Sequence, residues 1–503
     1  MKAKYWILIS IAVIFCGCTK LDEQVYDKVP NDQYPESADQ VASLAVVTYQ
    51  KLRPFADDEG WWFLAQEISA DGLAAPTRGG DWLDGGKWLN MHKHTWTSDD
   101  EGVNRMWSTF WTGIITCNQT LDLMNQIPEN PALIAKKNEV VAMRAFYYYV
   151  LIDNYGDAPY LTSTINAPAM PYKAHRGAIY DSIVTALTEA LPSLKAIDKK
   201  YMMTRYTACA LLAKLYLNGP IYKNITDPVQ QAEYWQKASD YCDSVMAGPY
   251  SLATDISEPF KTNNENSSEI IFSIPYDEDN FQGFRLHMRT LHYQMNLKYN
   301  MPVGPWNGFA INPEFWATYE SADKRLAAYN IWGIQKSYTG AVIYDGATHV
   351  VLDIDPLLPA LNMQAPAYTQ VQIRTTGARV GKYEIKLGAK ENLSNDFPLF
   401  RLTDFYLMKA EAEMRLGRSG DQWINPIRLR AGVPAWTGAT LEQLLAERGR
   451  ELYCEGHRRQ DLIRFGKWEQ SWWEKEAHGP DLRVFYIPKW ATDANSNLLK
   501  PPQ

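Results

Sequence analysis

Apolar residues recur at helical spacing over much of the first half of the chain and again near its end. From Val141 to Ile152 they advance in steps of four, three and four, which places one apolar stripe along a helix. Gly156 and Pro159 predict where that helix ends. The same pattern predicts further helices over residues 37–52, 102–126, 177–194, 204–217, 229–246, 402–416, 441–456 and 459–468. Glycine and proline breaks at 218–220 and 248–249 suggest that neighbouring helices pair as hairpins.

The stretch between residues 250 and 397 has a different pattern. Short apolar runs at residues 270–274 and 341–344 predict strands, separated by connections rich in Asn, Pro and Gly. We therefore expect a loop-rich insert between two helical regions, and surface display as its role.

The first residues predict an export signal rather than part of the fold. Lys2 and Lys4 precede an apolar run at 6–16 that is too short to span a bilayer. The run ends in Phe-Cys-Gly-Cys, which resembles a lipoprotein cleavage box with Cys18 as the acylated residue. We expect residues 1–17 to be removed and residues 18–33 to be a tether. No second membrane segment follows, so the lipid alone would hold the chain at a membrane.

Composition and charge exclude several classes of protein. With 46% hydrophobic and 21% charged residues, the chain can bury a large core, which argues against disorder. The formal charge of −8 becomes −10 once Lys2 and Lys4 are removed, which argues against a nucleic-acid partner. The remaining cysteines are Cys117, Cys209, Cys242 and Cys454. They lack the spacing of a zinc site, and we predict buried thiols for them rather than disulfides.

Four blocks of the chain carry a family resemblance. Residues 144–160 read RAFYYYVLIDNYGDAPY, and residues 397–412 read FPLFRLTDFYLMKAEA. Residues 427–434 read IRLRAGVP, and residues 447–468 read ERGRELYCEGHRRQDLIRFGKW. In order and spacing these blocks resemble the SusD/RagB family of outer-membrane glycan-binding lipoproteins.

The resemblance implies a mainly α fold, with four tetratricopeptide-like helix pairs and an irregular insert that contains short strands. We expect one integrated mature domain, with a helical region at 34–250, the insert at 251–397, and a second helical region with a tail at 398–503. The resemblance also implies surface capture of a polysaccharide or oligosaccharide without cleavage, on the outer membrane of a member of the Bacteroidetes. A SusC-like TonB-dependent transporter would be the partner, and no cofactor is implied. Arg144, Arg401 and Arg448 in these blocks are expected to pair with carboxylates and backbone carbonyls.

Tryptophans concentrate early in the chain. Seven of the 18 lie within residues 61–111. The segment at 78–88 has glycine pairs that favour a loop, so at least one of its large aromatics is expected to be exposed. An exposed indole can stack on the C–H face of a sugar ring. Here we predict Trp82 as a glycan-binding residue, and for Trp88 binding and core packing are equally favoured. Arg78, Asp81 and Asp84 are predicted to bind the glycan beside these rings.

A second candidate segment spans residues 293–309. Prolines and glycines hold a loop that presents Trp306 beside the amide of Asn307, with Tyr293 nearby. We predict these three residues as glycan-binding too. Aromatic abundance and the acidic chain favour a neutral glycan over a polyanion.

Other patterns have structural explanations. Trp107 and Trp111 are spaced four apart on a predicted helix and are expected to lie in the core. His92 and His94 lack a third metal ligand, so a hydrogen-bonded or solvated pair is favoured. The acidic run at 277–280 lacks the spacing of a calcium loop, and calcium is not predicted.

Two other functions remain as alternatives. A glycosidase would need two carboxylates flanking the sugar, and Asp81 with Asp84 could supply them, although nothing singles out that pair. A helical-repeat scaffold for a protein or peptide would instead use a concave helical groove and would not depend on Trp82 or Trp306.

Overall fold

The computed structural model describes residues 38–57 and 59–503. The predicted signal segment, the tether and Cys18 lie outside these residues. Within them, no helix has both the length and the apolar composition needed to cross a membrane.

The N-terminal half is helical through residue 246. Its helices are α1 (Ala38–Gln50), α2 (Trp62–Ile68), α3 (Lys87–Lys93), α4 (Glu101–Met124), α5 (Pro131–Tyr155), α6 (Arg176–Ala190), α7 (Arg205–Tyr222) and α8 (Pro228–Met246). Local signals set several ends: the Asn130 side chain accepts a hydrogen bond from Leu133 N at the start of α5, and Gly156 ends that helix at a φ of 70°.

Helix α5 is buried on nearly every side from Ala142 onward, not along the single predicted stripe. The additional burial arises because α1, α4 and α6 all pack against it. Its tyrosines still find partners: Tyr147 Oη donates to Thr48 O at 2.6 Å, and Tyr148 Oη donates to Leu161 O at 2.8 Å.

Helix α7 continues through residues 218–220, where the sequence predicted a break. Gly219 has a packing role there, because a Cβ at this position would lie 2.3 Å from Cδ1 of Tyr234 on α8. Close contact between α7 and α8 therefore outweighs the helix-breaking tendency of Gly219 and Pro220.

The C-terminal region returns to helices. They are α14 (Leu402–Arg415), α15 (Asp421–Arg430), α16 (Leu441–Glu451), α17 (Arg458–Arg464) and α18 (Lys489–Ala494). Helix α14 packs against α8, from which it is separated by the whole insert. Helices that follow one another along the chain pack together, α4 with α5, α5 with α6, α6 with α7 and α7 with α8, and α14 packs against both α8 and α15. This arrangement agrees with the mainly α, tetratricopeptide-like prediction.

The insert consists of short elements joined by loops. Its helices are α9 (Leu286–Thr290), α10 (Asn296–Tyr299), α11 (Pro313–Trp316), α12 (Lys324–Tyr329) and α13 (Gln370–Thr375). The strands of the molecule are β1 (Leu73–Ala74), β2 (Thr77–Arg78), β3 (Ile270–Ile274), β4 (Ala310–Ile311), β5 (Asn330–Ile331), β6 (Gly333–Ile334), β7 (Asp353–Ile354), β8 (Asn362–Met363), β9 (Arg379–Val380) and β10 (Phe397–Arg401).

Strand pairing closes the insert and attaches it to the N-terminal region. Strands β3 and β10, at the two ends of the insert, pair antiparallel. Strand β1 pairs with β4, and β2 pairs with β8, so the segment at 73–78 is held against the insert on two sides. The predicted strand at 341–344 is wrong, since only isolated bridges form there, from Val342 to Lys336 and from Tyr344 to Val351.

A buried ionic network links the insert to the C-terminal helices. Arg401 donates to Glu451 at 3.0 Å and to Glu455 at 2.7 Å, and also binds Glu269 near the start of the insert. Arg448 binds Asp461 at 2.8 Å. These contacts, and those of Arg144 with Asn118 Oδ1 and Thr162 O, confirm the pairing predicted for the three arginines.

The predicted core residues are buried with few exceptions. Trp107 is 4% exposed, whereas Trp111 is only partly buried against the core. The four cysteines of the described residues are free and buried, which confirms the thiol prediction. His92 and His94 are buried and hydrogen-bonded rather than solvated: His92 Nε2 lies 2.9 Å from Trp473 O, and His94 Nε2 lies 2.6 Å from Ser69 O.

Candidate functional site

The two candidate loops, more than 200 residues apart in sequence, meet in the structure. Trp82 Nε1 donates a hydrogen bond to Trp306 O at 2.8 Å. Tyr293 Oη donates to the Asp81 carboxylate. Trp82, Trp306 and Tyr293 are partly exposed, and Asp81 and Asp84 are exposed. We call these five residues the aromatic surface.

A tight turn shapes the first loop. Arg78 N donates to Asp81 O at 2.9 Å and Asp81 N donates to Arg78 O at 3.2 Å, which closes a turn over two glycines. Trp82 and Asp84 then adopt left-handed backbone conformations, with φ of 62° and 40°. Such conformations are strained for residues other than glycine, and strained residues are concentrated at functional sites.

The indole of Trp82 rests on the second loop. A Cβ at Gly308 would lie 2.2 Å from Trp82 Cε2, so only glycine leaves room for the ring. The Trp82 ring centroid also lies 5.2 Å from that of Phe309 and 5.5 Å from that of Trp88. These contacts support part of the indole and leave the rest open to solvent.

Trp306 is held by backbone and cationic contacts. Its amide donates to Met288 O at 2.7 Å. The guanidinium carbons of Arg289 and Arg285 lie 5.3 and 5.7 Å from its ring centroid. Such cation–π contacts fix the orientation of the ring.

Three predicted binding residues are buried and lie behind the aromatic surface. Arg78 donates to the carbonyls of three residues at 2.8–3.2 Å, and burial lowers its pKa to about 9. Asn307 is fully buried and accepts from Arg379 Nη2 at 2.7 Å. Trp88 is 2% exposed because it stacks on Trp61, with ring centroids 4.8 Å apart. The expectation that these three side chains touch a sugar is not met in this structure; they support the residues that can.

The acidic residues of the surface each hold an aromatic side chain. Asp84 Oδ2 accepts from Trp88 Nε1 at 2.8 Å, and Asp81 accepts from Tyr293 Oη. Burial, followed by the hydrogen bond to Asp81, raises the pKa of Tyr293 to about 12, so its hydroxyl remains a donor at neutral pH. The remaining carboxylate lone pairs are available to sugar hydroxyls.

Sequence reasoning missed Arg374 and Asp345. The Arg374 guanidinium carbon lies 4.6 Å from the Tyr293 ring centroid. Asp345 is buried and accepts from Arg374 Nε at 2.8 Å. The sequence analysis did not find this pair because its contacts join Tyr293, Asp345 and Arg374 from three separate segments, and local sequence patterns do not show such contacts.

The described residues offer no arrangement of three or more His, Cys, Asp or Glu side chains that could hold a metal ion. A separate cleft of about 310 Å³ lies beside Arg285, and its lining is charged rather than aromatic; it includes Arg53, Glu59, Glu278, Asp279 and Lys390. The aromatic surface therefore differs in chemistry from this charged cleft.

Comparison with known proteins finds two matching families. Residues 268–498 match the family described as the SusD family, and residues 77–217 match the family described as starch-binding associating with outer membrane. Together these matches cover most of the chain, and they support the resemblance to the SusD family that the four sequence blocks indicated.

Two relatives match most of the chain in sequence. The starch-binding protein SusD of Bacteroides thetaiotaomicron is 26% identical over 72% of this chain and 71% of its own. A SusD-like protein of Formosa agariphila, P25, is 25% identical over 72% of this chain and 70% of its own.

Solved structures of the superfamily show the same fold. A SusD superfamily protein from Parabacteroides distasonis superposes with a TM-score of 0.75 at 19% identity, covering 94% of this chain and 99% of that one. Surface glycan-binding protein A from Bacteroides thetaiotaomicron, in complex with laminarihexaose, superposes with a TM-score of 0.70 at 20% identity, covering 91% and 97%.

Proposed function

We propose that this protein captures a neutral glycan through the aromatic surface. One observation carries the proposal: Trp82 and Trp306, from loops far apart in sequence, are joined by a hydrogen bond on a partly exposed surface. Adjacent indoles offer stacking faces, and Asp81 offers hydrogen-bond acceptors beside them. The names of the relatives, which mention starch and laminarihexaose, make neutral glucans the first ligands to test.

The binding is expected to be weak at a single site. Stacking and a few hydrogen bonds must offset the loss of sugar mobility, so the dissociation constant should lie roughly between micromolar and millimolar. Repeated engagement along a polymer would raise the apparent affinity. Two exposed carboxylates in the aromatic surface would repel uronic or sulfated chains, which supports a neutral ligand.

The contacts of Asp81 and Asp84 support glycan capture rather than glycan hydrolysis. Asp81 and Asp84 each accept a hydrogen bond from an aromatic side chain of the protein. That arrangement orients the rings, whereas glycoside hydrolysis requires two carboxyl groups that flank a bound sugar as acid and base or nucleophile.

Delivery follows from the family resemblance. In this proposal, residues 1–17 are cleaved, Cys18 carries the lipid, residues 18–33 tether the fold to the cell surface, and a SusC-like transporter receives the glycan. The region at 34–250, the insert at 251–397 and the region at 398–503 act as one domain. The family description that mentions the outer membrane supports this location.

Affinity gel electrophoresis tests the proposal. Protein lacking residues 1–18 is run against amylopectin, laminarin, glucomannan and xyloglucan, with alginate as the anionic comparison. We expect retardation by a neutral polysaccharide, no release of reducing sugar, and a loss of roughly tenfold or more in affinity for Trp82→Ala and for Trp306→Ala.

The matched control is Trp490→Ala. Trp490 is 52% exposed on α18, so its removal tests the general effect of losing a surface indole. Equal retardation of wild type and both site variants would refute the site, and retardation by none of the polysaccharides would refute glycan capture as proposed.

A further inference from the structure

We propose that a second cleft of the protein binds a sugar acid, that is, a pyranose ring that carries one carboxylate. The cleft has a volume of about 740 Å³ and is lined by residues 50–54, by one face of α4 and by the loop at 280–281 of the insert. We call it the polar cleft. Ligand sites in proteins are concave and commonly occupy about 300–1,000 Å³, so the volume suits a sugar. The inference goes beyond the glycan capture proposed above and does not depend on it.

Helix α4 presents a row of polar side chains to the polar cleft. Asn104, Ser108 and Thr112 line it at intervals of four residues, so the row extends about 12 Å at about 1.5 Å per residue. Ser108 Oγ donates to Asn104 O at 3.0 Å, and Thr112 Oγ1 donates to Ser108 O at 2.7 Å. Each hydroxyl oxygen therefore keeps a lone pair that can accept from a sugar hydroxyl.

Thr109 offers a hydroxyl that the fold does not use. Its side chain lines the polar cleft and the residue is only 9% exposed, yet its hydroxyl makes no hydrogen bond within the part of the chain that the structure describes. Buried polar groups are nearly always hydrogen-bonded. A sugar hydroxyl in the cleft would give Thr109 Oγ1 both a donor and an acceptor.

Lys51 gives the polar cleft an unpaired positive charge. It lines the cleft directly after α1 and forms no ion pair with any residue that the structure describes. The other cations of the lining are paired, since Arg105 Nε lies 2.8 Å from a carboxylate oxygen of Glu101 and Arg53 binds Glu59. Glu59 is the only acidic side chain among the described lining residues. The three donors of the Lys51 ammonium therefore suit one carboxylate of a ligand.

Phe281 supplies an aromatic wall opposite the helices. The ring is partly exposed, and its centroid lies 6.4 Å from that of Tyr276. The backbone is held because Asp277 N donates to Phe281 O at 3.1 Å. A partly exposed ring on a fixed loop can stack on the C–H face of a pyranose.

The polar cleft and the aromatic surface differ in charge. Asp81 and Asp84 give the aromatic surface exposed carboxylates, which disfavour an anionic sugar there. The polar cleft combines a ring face, hydroxyl partners and one free ammonium. Those three features together match a sugar with a single carboxylate better than a neutral sugar or a simple anion.

Ligand-observed NMR titration of the protein lacking residues 1–18 tests the inference with three probes. Glucuronate carries both the ring and the carboxylate, glucose carries only the ring, and acetate carries only the carboxylate. The variants are Lys51→Met and Thr109→Val. Lys336→Met is the matched control, because Lys336 is exposed and forms no ion pair with the described residues, and it does not line the polar cleft.

We expect wild type to bind glucuronate about fivefold or more tightly than glucose or acetate. Lys51→Met should abolish this preference, and Lys336→Met should leave it unchanged. Thr109→Val should weaken glucuronate binding by about threefold or more without lowering the thermal unfolding temperature, because the fold makes no use of that hydroxyl. A purely structural role of Thr109 would instead change the unfolding temperature and leave binding unaltered in the folded protein.

Three results would overturn the inference: equal affinity for glucuronate and acetate, a preference for glucuronate that survives in Lys51→Met, or glucuronate binding that Trp82→Ala abolishes. The last result would assign the ligand to the aromatic surface. Because glycan capture is judged by retardation on neutral polysaccharides, which Lys51→Met should not alter, the two proposals can fail separately.

Discussion

Gly308 is the residue on which the geometry of the candidate site depends most directly, and Gly308→Ala is the sharpest perturbation of it. The added methyl would lie 2.2 Å from Trp82 Cε2 and from Cζ2. Carbon atoms in contact are separated by about 3.5–4.0 Å, so the indole must move by roughly 1.5 Å. Cε2 is bonded to Nε1, and the 2.8 Å hydrogen bond to Trp306 O would therefore be lost.

The expected cost follows from these two effects. Forcing an extra carbon into a packed site costs about 1–3 kcal/mol, and loss of the hydrogen bond contributes about 1 kcal/mol within that range if the indole swings outward. Glycan affinity should fall roughly tenfold or more, because the stacking face of Trp82 is displaced from Trp306.

The assay combines urea unfolding, followed by far-ultraviolet circular dichroism, with affinity gel electrophoresis. Gly80→Ala is the matched control, since it lies in the opposing loop, no atom lies within 4 Å of its added Cβ, and its φ is not left-handed. In a Trp82→Ala background, Gly308→Ala should no longer destabilise the protein. The packing argument would be refuted if Gly308→Ala and Gly80→Ala had the same free energy of unfolding and the same retardation in the gel.

Three further predictions concern the buried groups. Glu451→Gln should lower the free energy of unfolding by about 3–5 kcal/mol, because Glu451 is fully buried and pairs with Arg401 and Arg430. The control Glu442→Gln removes a surface ion pair and should change the free energy of unfolding by less than about 1 kcal/mol. Burial would raise the pKa of Glu451, but Arg430 and Arg401 hold it at about 2, so this stability is present above pH 4.5 and should be lost between pH 4.5 and 2 in wild-type denaturation curves. Burial raises the pKa of Glu67 from 4.5 to about 7, although the hydrogen bond from Gly456 N opposes this rise. The free energy of unfolding should therefore fall as the pH rises from 4.5 to 7, and Glu67→Gln should flatten that part of the curve. The four buried thiols should react with a thiol reagent only after denaturation, and rapid reaction of the native protein would contradict their burial.

Periodicity predicted the long helices because helical spacing is a local property. The predicted helix at 229–246 is Pro228–Met246 in the structure, and that at 402–416 is Leu402–Arg415. Ends were predicted less well where packing decides them. Helix α7 continues past residue 217 because Gly219 admits Tyr234, and α16 ends at Glu451, before the left-handed Cys454 and Gly456.

The chemistry of the site was only partly predictable. Trp82 and Trp88 lie on one glycine-rich loop, and the prediction favoured binding for Trp82 but left Trp88 undecided between binding and core. Stacking on Trp61 buries Trp88, whereas Trp82 rests on Gly308 and keeps an exposed portion. Whether a side chain faces solvent depends on residues distant in sequence.

Motifs, periodicity and turn residues act over short separations. From them alone the sequence predicted the resemblance to the SusD family, the long helices and the two loops that supply the candidate residues. Three features were visible only in the folded molecule: the hydrogen bond between these loops, the burial of Arg78, Asn307 and Trp88 behind the surface, and the position of Arg374 over Tyr293. Those features arise from contacts between residues tens to hundreds of positions apart, and such contacts form only when strand pairing and helix packing bring the segments together.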